Sequence, residues 1–316
     1  MPDKKVILVF GATGAQGGGL AKAILNDKDS EFAVRAITRD PDSEKARELA
    51  KLGAEIVKGD IDDLQSMKDA MKGAYGAYFV TFFWVHYSAE KETDEAKNMA
   101  AAAKDAGLKH VIWSTLEDTR NLVPLDDDRM PTLKGKYKVP HFDGKGEADH
   151  YFTDAGLPVT FLLASFYWDN FIYFGSGPKK DPNGKYALNL PIGKEKMAGI
   201  AAEDIGKAAH GIFKKGLSLV GKRIGVAGEH LTGEEMAGKL SNALGKEVYY
   251  NEITPEQFRN FGIPGADDLG NMFQFYTDFA DECNSIRNVE FSRELNPQLK
   301  SFDTWLVENC KMIPLD

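Results

Sequence analysis

Cysteine is almost missing from this chain of 316 residues: Cys283 and Cys310 are the only two, and neither stands in a C-x-x-C or other metal-ligand spacing. That excludes a disulfide framework and a cysteine-based zinc site, and it fits a reducing compartment. Long apolar runs are missing too. The longest, residues 74–85, is about 12 residues against the about 20 that span a bilayer, so it reads as a buried strand and no membrane role is expected. The N-terminal residues enter a five-residue apolar strand followed by glycines, which leaves no signal-peptide pattern and places the protein in the cytoplasm, with nuclear access left open. An excess of positive charge is also lacking. A net charge of −9 opposes direct nucleic-acid binding, which depends on clustered Lys and Arg. His86, His110, His150, His210 and His230 are scattered singly, and no metal site is expected.

What is present is an ordinary globular composition, 43% hydrophobic and 28% charged, arranged as alternating strands and helices. Apolar runs at 6–10, 32–38, 55–58, 75–81, 110–114 and 159–164 alternate with helical periods at 18–26, 43–52, 64–71, 90–106 and 141–154. This is the pattern of a parallel sheet with crossover helices, an α/β Rossmann doubly wound fold. Between 117 and 139 periodicity is lost, and that stretch reads as a long, lid-like loop. Residues 175–191 are rich in Gly and Pro and read as irregular. Helix 201–213 and a short strand at 223–227 follow, and the remainder reads as mostly helical. Residues 1–160 therefore form the Rossmann domain, with 196–227 returning to it. Residues 161–195 and 228–316 form a smaller α-rich C-terminal lobe, with the cleft between the two.

The run Val6-Ile-Leu-Val-Phe-Gly11-Ala12-Thr13-Gly14-Ala15-Gln16-Gly17 joins a strand, a tight turn and a helix start. Its glycines serve three needs: a sharp turn, close approach of backbone to a pyrophosphate, and tight packing of helix on sheet. The exposed N–H groups and the helix dipole then face the anion. A glycine triplet alone is weak, but its flanking strand, helix and second strand make it a dinucleotide site. The second strand ends in Arg39, where an NAD-specific protein places Asp or Glu. A guanidinium there takes a 2′-phosphate through charge-assisted bonds, which favours NADP(H). The competing reading makes Arg39 a solvated loop residue and gives the ribose to Asp40. Asp60, after the third strand, and Thr81-Phe82-Phe83, after the fourth, sit at strand ends beside the adenine and nicotinamide positions. Alternatively, Asp60 is a helix N-cap and the Phe pair is core.

Short-chain reductases carry Tyr-x-x-x-Lys on the helix after the fifth strand. This chain has His141-Phe-Asp-Gly-Lys145 instead. The i, i+4 spacing keeps both side chains on one helix face, but histidine replaces the proton donor. Lys145 and His141 are the candidate chemical residues, Lys145 as a cofactor ligand and His141 as an acid or as a helix-start histidine with a satisfied hydrogen bond. Tyr137 stands eight residues from Lys145 and before Pro140, so it does not replace the missing tyrosine by register. Ser114-Thr115 reads as a remnant of a catalytic serine or as a strand-end cap.

The glycine turn, Thr38-Arg39, the segment His141-Phe-Asp-Gly-Lys-Gly-Glu147, Tyr167-Trp-Asp-Asn170 and Asn271-Met-Phe-Gln-Phe-Tyr276 together resemble the NmrA-like family of atypical short-chain dehydrogenase/reductases, nearest its eukaryotic branch. The resemblance covers nearly the whole chain. It implies an NADP(H)-binding Rossmann domain, frequent loss of the reductase tyrosine, and roles as redox sensors or co-regulators. It further implies pyrophosphate contacts from Gly11, Ala12, Thr13, Gly14, Ala15, Gln16 and Gly17, a 2′-phosphate contact from Arg39, and adenine-side contacts from Asp60 and Ile61. Nicotinamide-side contacts fall on Thr81, Phe82, Phe83, Lys145, Tyr167, Trp168 and Asn170. Phe82 departs from the family's frequent Asn, and loop 117–139 is longer than usual. Two functions stand open: a silent NADP(H) sensor whose protein partner or homodimer responds to cofactor state, and an NADPH-dependent reductase of a quinone or other small carbonyl or enone. The second draws on an aromatic cleft built from Phe82, Phe83, Trp84, Phe166, Tyr167 and Trp168.

Overall fold

The computed structural model describes residues 4–315. Its elements run β1 Lys5–Val9, α1 Ala15–Asn26, β2 Phe32–Thr38, α2 Glu44–Lys51, β3 Glu55–Lys58, α3 Leu64–Met71, β4 Gly76–Phe79, α4 Ala89–Ala106, β5 His110–Thr115, α5 Pro140–Asp154 and β6 Val159–Leu163. There follow β7 Phe166–Tyr167, α6 Asn170–Tyr173, β8 Lys179–Lys180, β9 Tyr186–Leu190, β10 Met197–Ile200, α7 Ala202–Lys214, β11 Arg223–Gly225, β12 Glu229–Leu231 and α8 Gly233–Leu244. The chain ends with β13 Val248–Glu252, α9 Pro255–Arg259, α10 Ala266–Asp278, α11 Ala280–Ile286, α12 Val289–Leu295 and α13 Phe302–Asn309.

Seven parallel strands form the central sheet in the order β11-β6-β5-β4-β1-β2-β3. Residues alternate sides along each strand. Ile7, Val9, Val34, Tyr78 and Ile112 pack on one layer of helices, and Leu8, Phe10, Ala77, Phe79 and Trp113 pack on the other. Burial on both faces explains why β4, β5 and β6 read as unbroken apolar runs. On the first face α1 lies hard against α7. A Cβ on Gly19 would collide with the backbone of Glu203, and one on Gly206 with the backbone of Gln16 and Leu20. Strand β6 straddles residue 160 and sits inside the large sheet, so the lobe begins beyond it. α12 also returns to the Rossmann side, where Leu295 and Leu299 join the core under α7.

The C-terminal lobe contains more strand than its sequence displays. Two three-stranded sheets, β12-β10-β7 and β13-β9-β8, sit among the helices. β9 lies within the stretch read as irregular, and it pairs in parallel with β13 across some sixty residues of chain. Pairing that distant leaves no local signal.

The stretch 117–139 is not a free lid. Val123, Met130 and Val139 are buried in the lobe's core, and the ammonium of Lys138, itself buried, donates to the carbonyls of Asp127 (2.8 Å) and Met130 (2.7 Å). Asn271 on α10 donates to the carbonyls of Lys138 (2.6 Å) and Pro131 (2.9 Å). Further along, Arg287 grips Glu117 with two bonds of 2.5 and 2.9 Å. Burial alone would raise the Glu117 carboxyl, but the guanidinium overrides it and holds the group below the usual range. The loop is mortar between the two lobes.

Candidate active site

The glycine turn is built from backbone alone. Gly11 has φ +62°, which other residues adopt only with strain, and the N–H of Gly14 donates to the Gly11 carbonyl at 2.8 Å. A Cβ on Gly17 would lie 2.5 Å from that same carbonyl oxygen. Helix α1 starts with no acidic residue in its first turn and no side-chain cap. Among the described residues, nothing accepts a hydrogen bond from the N–H groups of Ala15, Gln16 or Gly17. A bare helix N-terminus of this kind is a cradle for an anion such as a pyrophosphate.

At the end of β2, Arg39 is exposed and, among the described residues, carries no ion pair or side-chain hydrogen bond. Asp40 turns back on the chain instead, accepting from the N–H of Asp42 at 3.0 Å. Asp60 forms the same kind of turn, accepting from Asp62 N–H at 3.1 Å. It is not the cap of α3. That role belongs to Asp63, which accepts from the N–H groups of Gln65 and Ser66. Ile61 is half-buried against the core beside α3.

The residues expected on the nicotinamide side divide. Thr81 is buried at the end of β4, and its hydroxyl accepts from the Lys145 ammonium at 2.7 Å. It donates in turn to Glu92 Oε1 at 2.5 Å, and Lys145 completes the triangle with Glu92 Oε1 at 3.0 Å. Phe82 is 59% exposed, whereas Phe83 is buried against Trp84, Ala89 and Tyr137. Trp168 is only 1% exposed and packs on Phe302 and Trp305, so it has no surface to offer a ligand. Phe166 likewise packs on Phe171 and Phe273. The expected aromatic cleft therefore does not assemble: Phe83 is buried with Trp84 packed on it, Phe166 and Trp168 are buried in the lobe's core, and Phe82 stands exposed apart from both. Asn170 opens α6 and is half-buried.

Tyr167 enters a polar network under the turn. Gln16 donates its amide N–H to the Tyr167 hydroxyl, and its carbonyl oxygen accepts from the Tyr78 hydroxyl and from Ser114 at 2.8 Å. Burial raises both phenols, Tyr167 to about 12 and Tyr78 further, so neither is an activated acid. Tyr137 is buried against Phe83 and Ala89 and reaches neither Lys145 nor this network.

The geometry of His141 matches its other expected reading, a helix-start histidine with a satisfied hydrogen bond. Its Nδ1 lies 2.6 Å from Asp268 Oδ1, and its backbone N–H donates to Asp268 Oδ2 at 3.1 Å. The ring is enclosed by Trp84, Phe83 and Phe142. His141 and Lys145 share a helix but serve different neighbours: the first docks α5 onto α10, the second faces the end of β4. Asp143, between them, holds the helix start to the loop through the N–H groups of Lys138 (2.7 Å) and Val139 (3.0 Å) and the Thr119 hydroxyl (2.6 Å).

Glu92 is the residue that sequence reasoning missed. It is fully buried on α4, and Oε2 has no hydrogen-bond partner among the described residues. The available signal was its place on an apolar stripe with Ala96, Met99 and Ala103, where a charge is out of pattern. Among the described residues, no group of three or more His, Cys, Asp or Glu side chains is placed to hold a metal ion, and no helix is long and apolar enough to cross a membrane.

The NmrA-like family model matches residues 3–306. The NmrA-like family domain-containing oxidoreductase malD of Malbranchea aurantiaca is 33% identical over 259 residues, covering 78% of this chain and 75% of that protein. Among solved structures, NmrA, a negative transcriptional regulator, in complex with NADP has a TM-score of 0.80 at 23% identity, covering 98% of this chain and 96% of that one. The same regulator has also been solved in complex with NAD. Triphenylmethane reductase of Citrobacter sp., complexed with NADP(H), has a TM-score of 0.73 at 20% identity, covering 97% and 99%. The sheet order, the glycine turn and these matches agree, and the chain belongs to the NmrA-like family.

Proposed function

We propose that this protein binds NADP(H) and reports the state of that cofactor to a protein partner or a second copy, without turning over a substrate. The carrying observation, among the described residues, is that the candidate proton donors near Lys145 and beneath the turn are engaged by the protein: Lys145 by Thr81 and Glu92, and Tyr78, Ser114 and Tyr167 by Gln16. No phenol hydrogen-bonds to Lys145 among the described residues. The site fits a dinucleotide, because the turn leaves a bare N–H cradle that a Cβ at Gly17 would distort, and because Arg39 is exposed for a 2′-phosphate. When bound, the cofactor supplies a hydride donor or acceptor. The chain's own residues hold it: the turn binds pyrophosphate, Arg39 selects the phosphate, and Lys145 meets the nicotinamide end.

Signalling needs the two lobes to feel the cofactor. Helix α5 carries Lys145 toward the site and His141, one turn earlier, onto Asp268 of the lobe. A partner that prefers one arrangement of α5 and α10 gains or loses affinity with cofactor state by linkage. Titration calorimetry with NADPH, NADP+, NADH and NAD+ tests the reading. NADP(H) selectivity lost in Arg39→Ala, with an oligomeric state or partner affinity that changes with cofactor, is the expected result. Indifference of both to NADPH and NADP+ overturns it.

A second reading, an NADPH-dependent reductase of a quinone or other small carbonyl or enone using Lys145, is favoured by relatives named as oxidoreductases such as malD. It predicts oxidation of NADPH by a quinone and enone panel that stops in Lys145→Ala.

A further inference from the structure

We propose that Glu92 is a positioning residue that sets where the Lys145 ammonium stands, and thereby how the nicotinamide end of the cofactor is held. The cofactor part of this inference rests on the reading above, in which Lys145 meets the nicotinamide end. The placement itself stands on the geometry of the chain alone.

Lys145 reaches from α5 across to the end of β4 and is only 11% exposed along its side chain. A flexible four-carbon stem has many rotamers, and fixing one requires partners. Three are present. The Thr81 hydroxyl accepts at 2.7 Å, Glu92 Oε1 lies 3.0 Å away, and the ring of Trp113 lies beneath the ammonium at 5.2 Å. Thr81 cannot act alone, because its own proton goes to the same Glu92 oxygen at 2.5 Å. One carboxylate oxygen therefore orients both the hydroxyl and the ammonium.

Glu92 is rigid in its turn. It is buried on the first turn of α4, where Ser88 caps the helix by accepting from Lys91 N–H. An ammonium has three donors. Here it donates to Thr81 Oγ1 at 2.7 Å, pairs with Glu92 Oε1 at 3.0 Å and reaches the Thr81 carbonyl only weakly, at 3.5 Å. The long contact to the Thr81 carbonyl is the one that a ligand can displace. Among the described residues Glu92 Oε2 is a buried acceptor without a donor, and native proteins retain such costly groups generally where function needs them.

Two measurements decide it. In the cofactor-free protein, lysine acylation followed by mass spectrometry compares Lys145 with Lys22, an exposed residue on α1. Lys145 reacts slowly in the wild type, and Glu92→Gln, which keeps the shape and removes the charge, accelerates it severalfold relative to Lys22. An unchanged ratio overturns the inference.

Calorimetry and the fluorescence of bound NADPH supply the second measurement. Glu92→Gln weakens NADPH about tenfold and changes its emission, and Glu92→Asp recovers part of both. In a Lys145→Met background the Glu92 substitution has no further effect on affinity, because Glu92 acts through the lysine. The double variant Glu92→Gln/Lys145→Met also removes the unpaired buried charge that Lys145→Met alone leaves, so it stays folded as the control. Equal weakening in both backgrounds marks a merely structural residue and overturns the inference. Absence of NADP(H) binding by the wild type fells the functional reading, and the acylation ratio still decides the role of Glu92.

Discussion

The two ends of the candidate site are built by opposite means. From Gly11 to Gly17 the chain offers backbone and nothing else: a left-handed glycine, bare N–H groups and a helix start without a carboxylate. Around Lys145 the backbone is ordinary, and the site consists of side chains from α4, α5 and the end of β4, held by charge and burial. The first construction tolerates no added atom but needs no partner. The second tolerates changes of shape but fails when one charge is removed, because a buried ion without its counterpart costs more than the pair contributes. Substitutions at the two ends are expected to fail differently.

Gly17→Ala is expected to have the largest effect. Its methyl would stand 2.5 Å from the Gly11 carbonyl oxygen, and backbone on both sides leaves it no room. A loss of about 3 kcal/mol in chemical denaturation and a weakening of NADPH by about a hundredfold follow. A well-folded Gly17→Ala protein with normal NADPH affinity would break the distinction between the ends. Asp268→Ala comes next and probes the other construction. It strips His141 of two hydrogen bonds in a buried setting, costing about 2 kcal/mol. If His141 docks the lobe, NADPH affinity measured on the folded variant stays within about twofold of wild type. A collapse of affinity would return His141 to the cofactor site.

This contrast also explains what was legible in the sequence. The glycine turn is a local constraint contained in seven residues, and the strand and helix around it announce themselves by periodicity. The sheet follows for the same reason: β2, β3 and α3 fall at the residues their patterns indicate. Lys145 was visible through its i, i+4 spacing, but its partner Glu92 lies 53 residues earlier on another helix, and no spacing connects them. Phe83, Phe166 and Trp168 stand near strand ends, which point toward the cleft. Whether an aromatic ring turns outward or into a core depends on what packs above it, and for these three that is decided by Tyr137, by Phe273 and by Phe302 with Trp305. Likewise, loop 117–139 lost its periodicity because its buried residues answer to α10 rather than to one another.

A smaller effect sharpens the charge-built end. Glu95, one turn beyond Glu92, is buried, and that burial lifts its carboxyl to about 7, against an ordinary value of 4.5. Lys91 opposes the shift, while Glu92 and Asp62 add to it, and His86 Nε2 stands 3.7 Å away without a hydrogen-bond partner. Between pH 4.5 and 7 Glu95 therefore binds more protons in the folded protein than in the unfolded chain, whereas His86, His110, His210 and His230, lowered by burial, bind fewer. The Glu95 contribution to stability falls as pH rises through this window and levels off above it, while the histidine contributions rise. Glu95→Gln is expected to remove the falling contribution, so that stability rises more with pH than in the wild type, and to stabilise the protein by about 1.5 kcal/mol above pH 7, less than the full shift implies because the Lys91 contact is lost. Thermal unfolding across pH 4.5 to 8 checks it. An unchanged slope would mean that solvent reaches this carboxylate and that the end of α4 is wetter than its packing indicates.

The least expected effect separates two neighbouring aspartates that a reader of the sequence would exchange. Asp63 caps α3 by accepting from the N–H groups of Gln65 and Ser66, at 3.0 and 3.1 Å. Asp60, three residues earlier, spends one oxygen on Asp62 N–H, and its backbone N–H donates to the Ser66 hydroxyl at the end of β3. Asp63→Ala should cost about 1 kcal/mol of stability, as the loss of a helix cap does, and leave NADPH affinity alone. Asp60→Ala should do the reverse, with little loss of stability and a weaker hold on the adenine side. The physical reason is the position of each carboxylate: a cap faces its own helix and is silent toward a ligand, whereas a turn residue at a strand's C-terminal edge faces the crevice where open α/β sheets bind theirs. If instead the two variants lose affinity equally, the start of α3 belongs to the cofactor site as well, and the boundary between backbone-built and charge-built ends moves from β4 to β3.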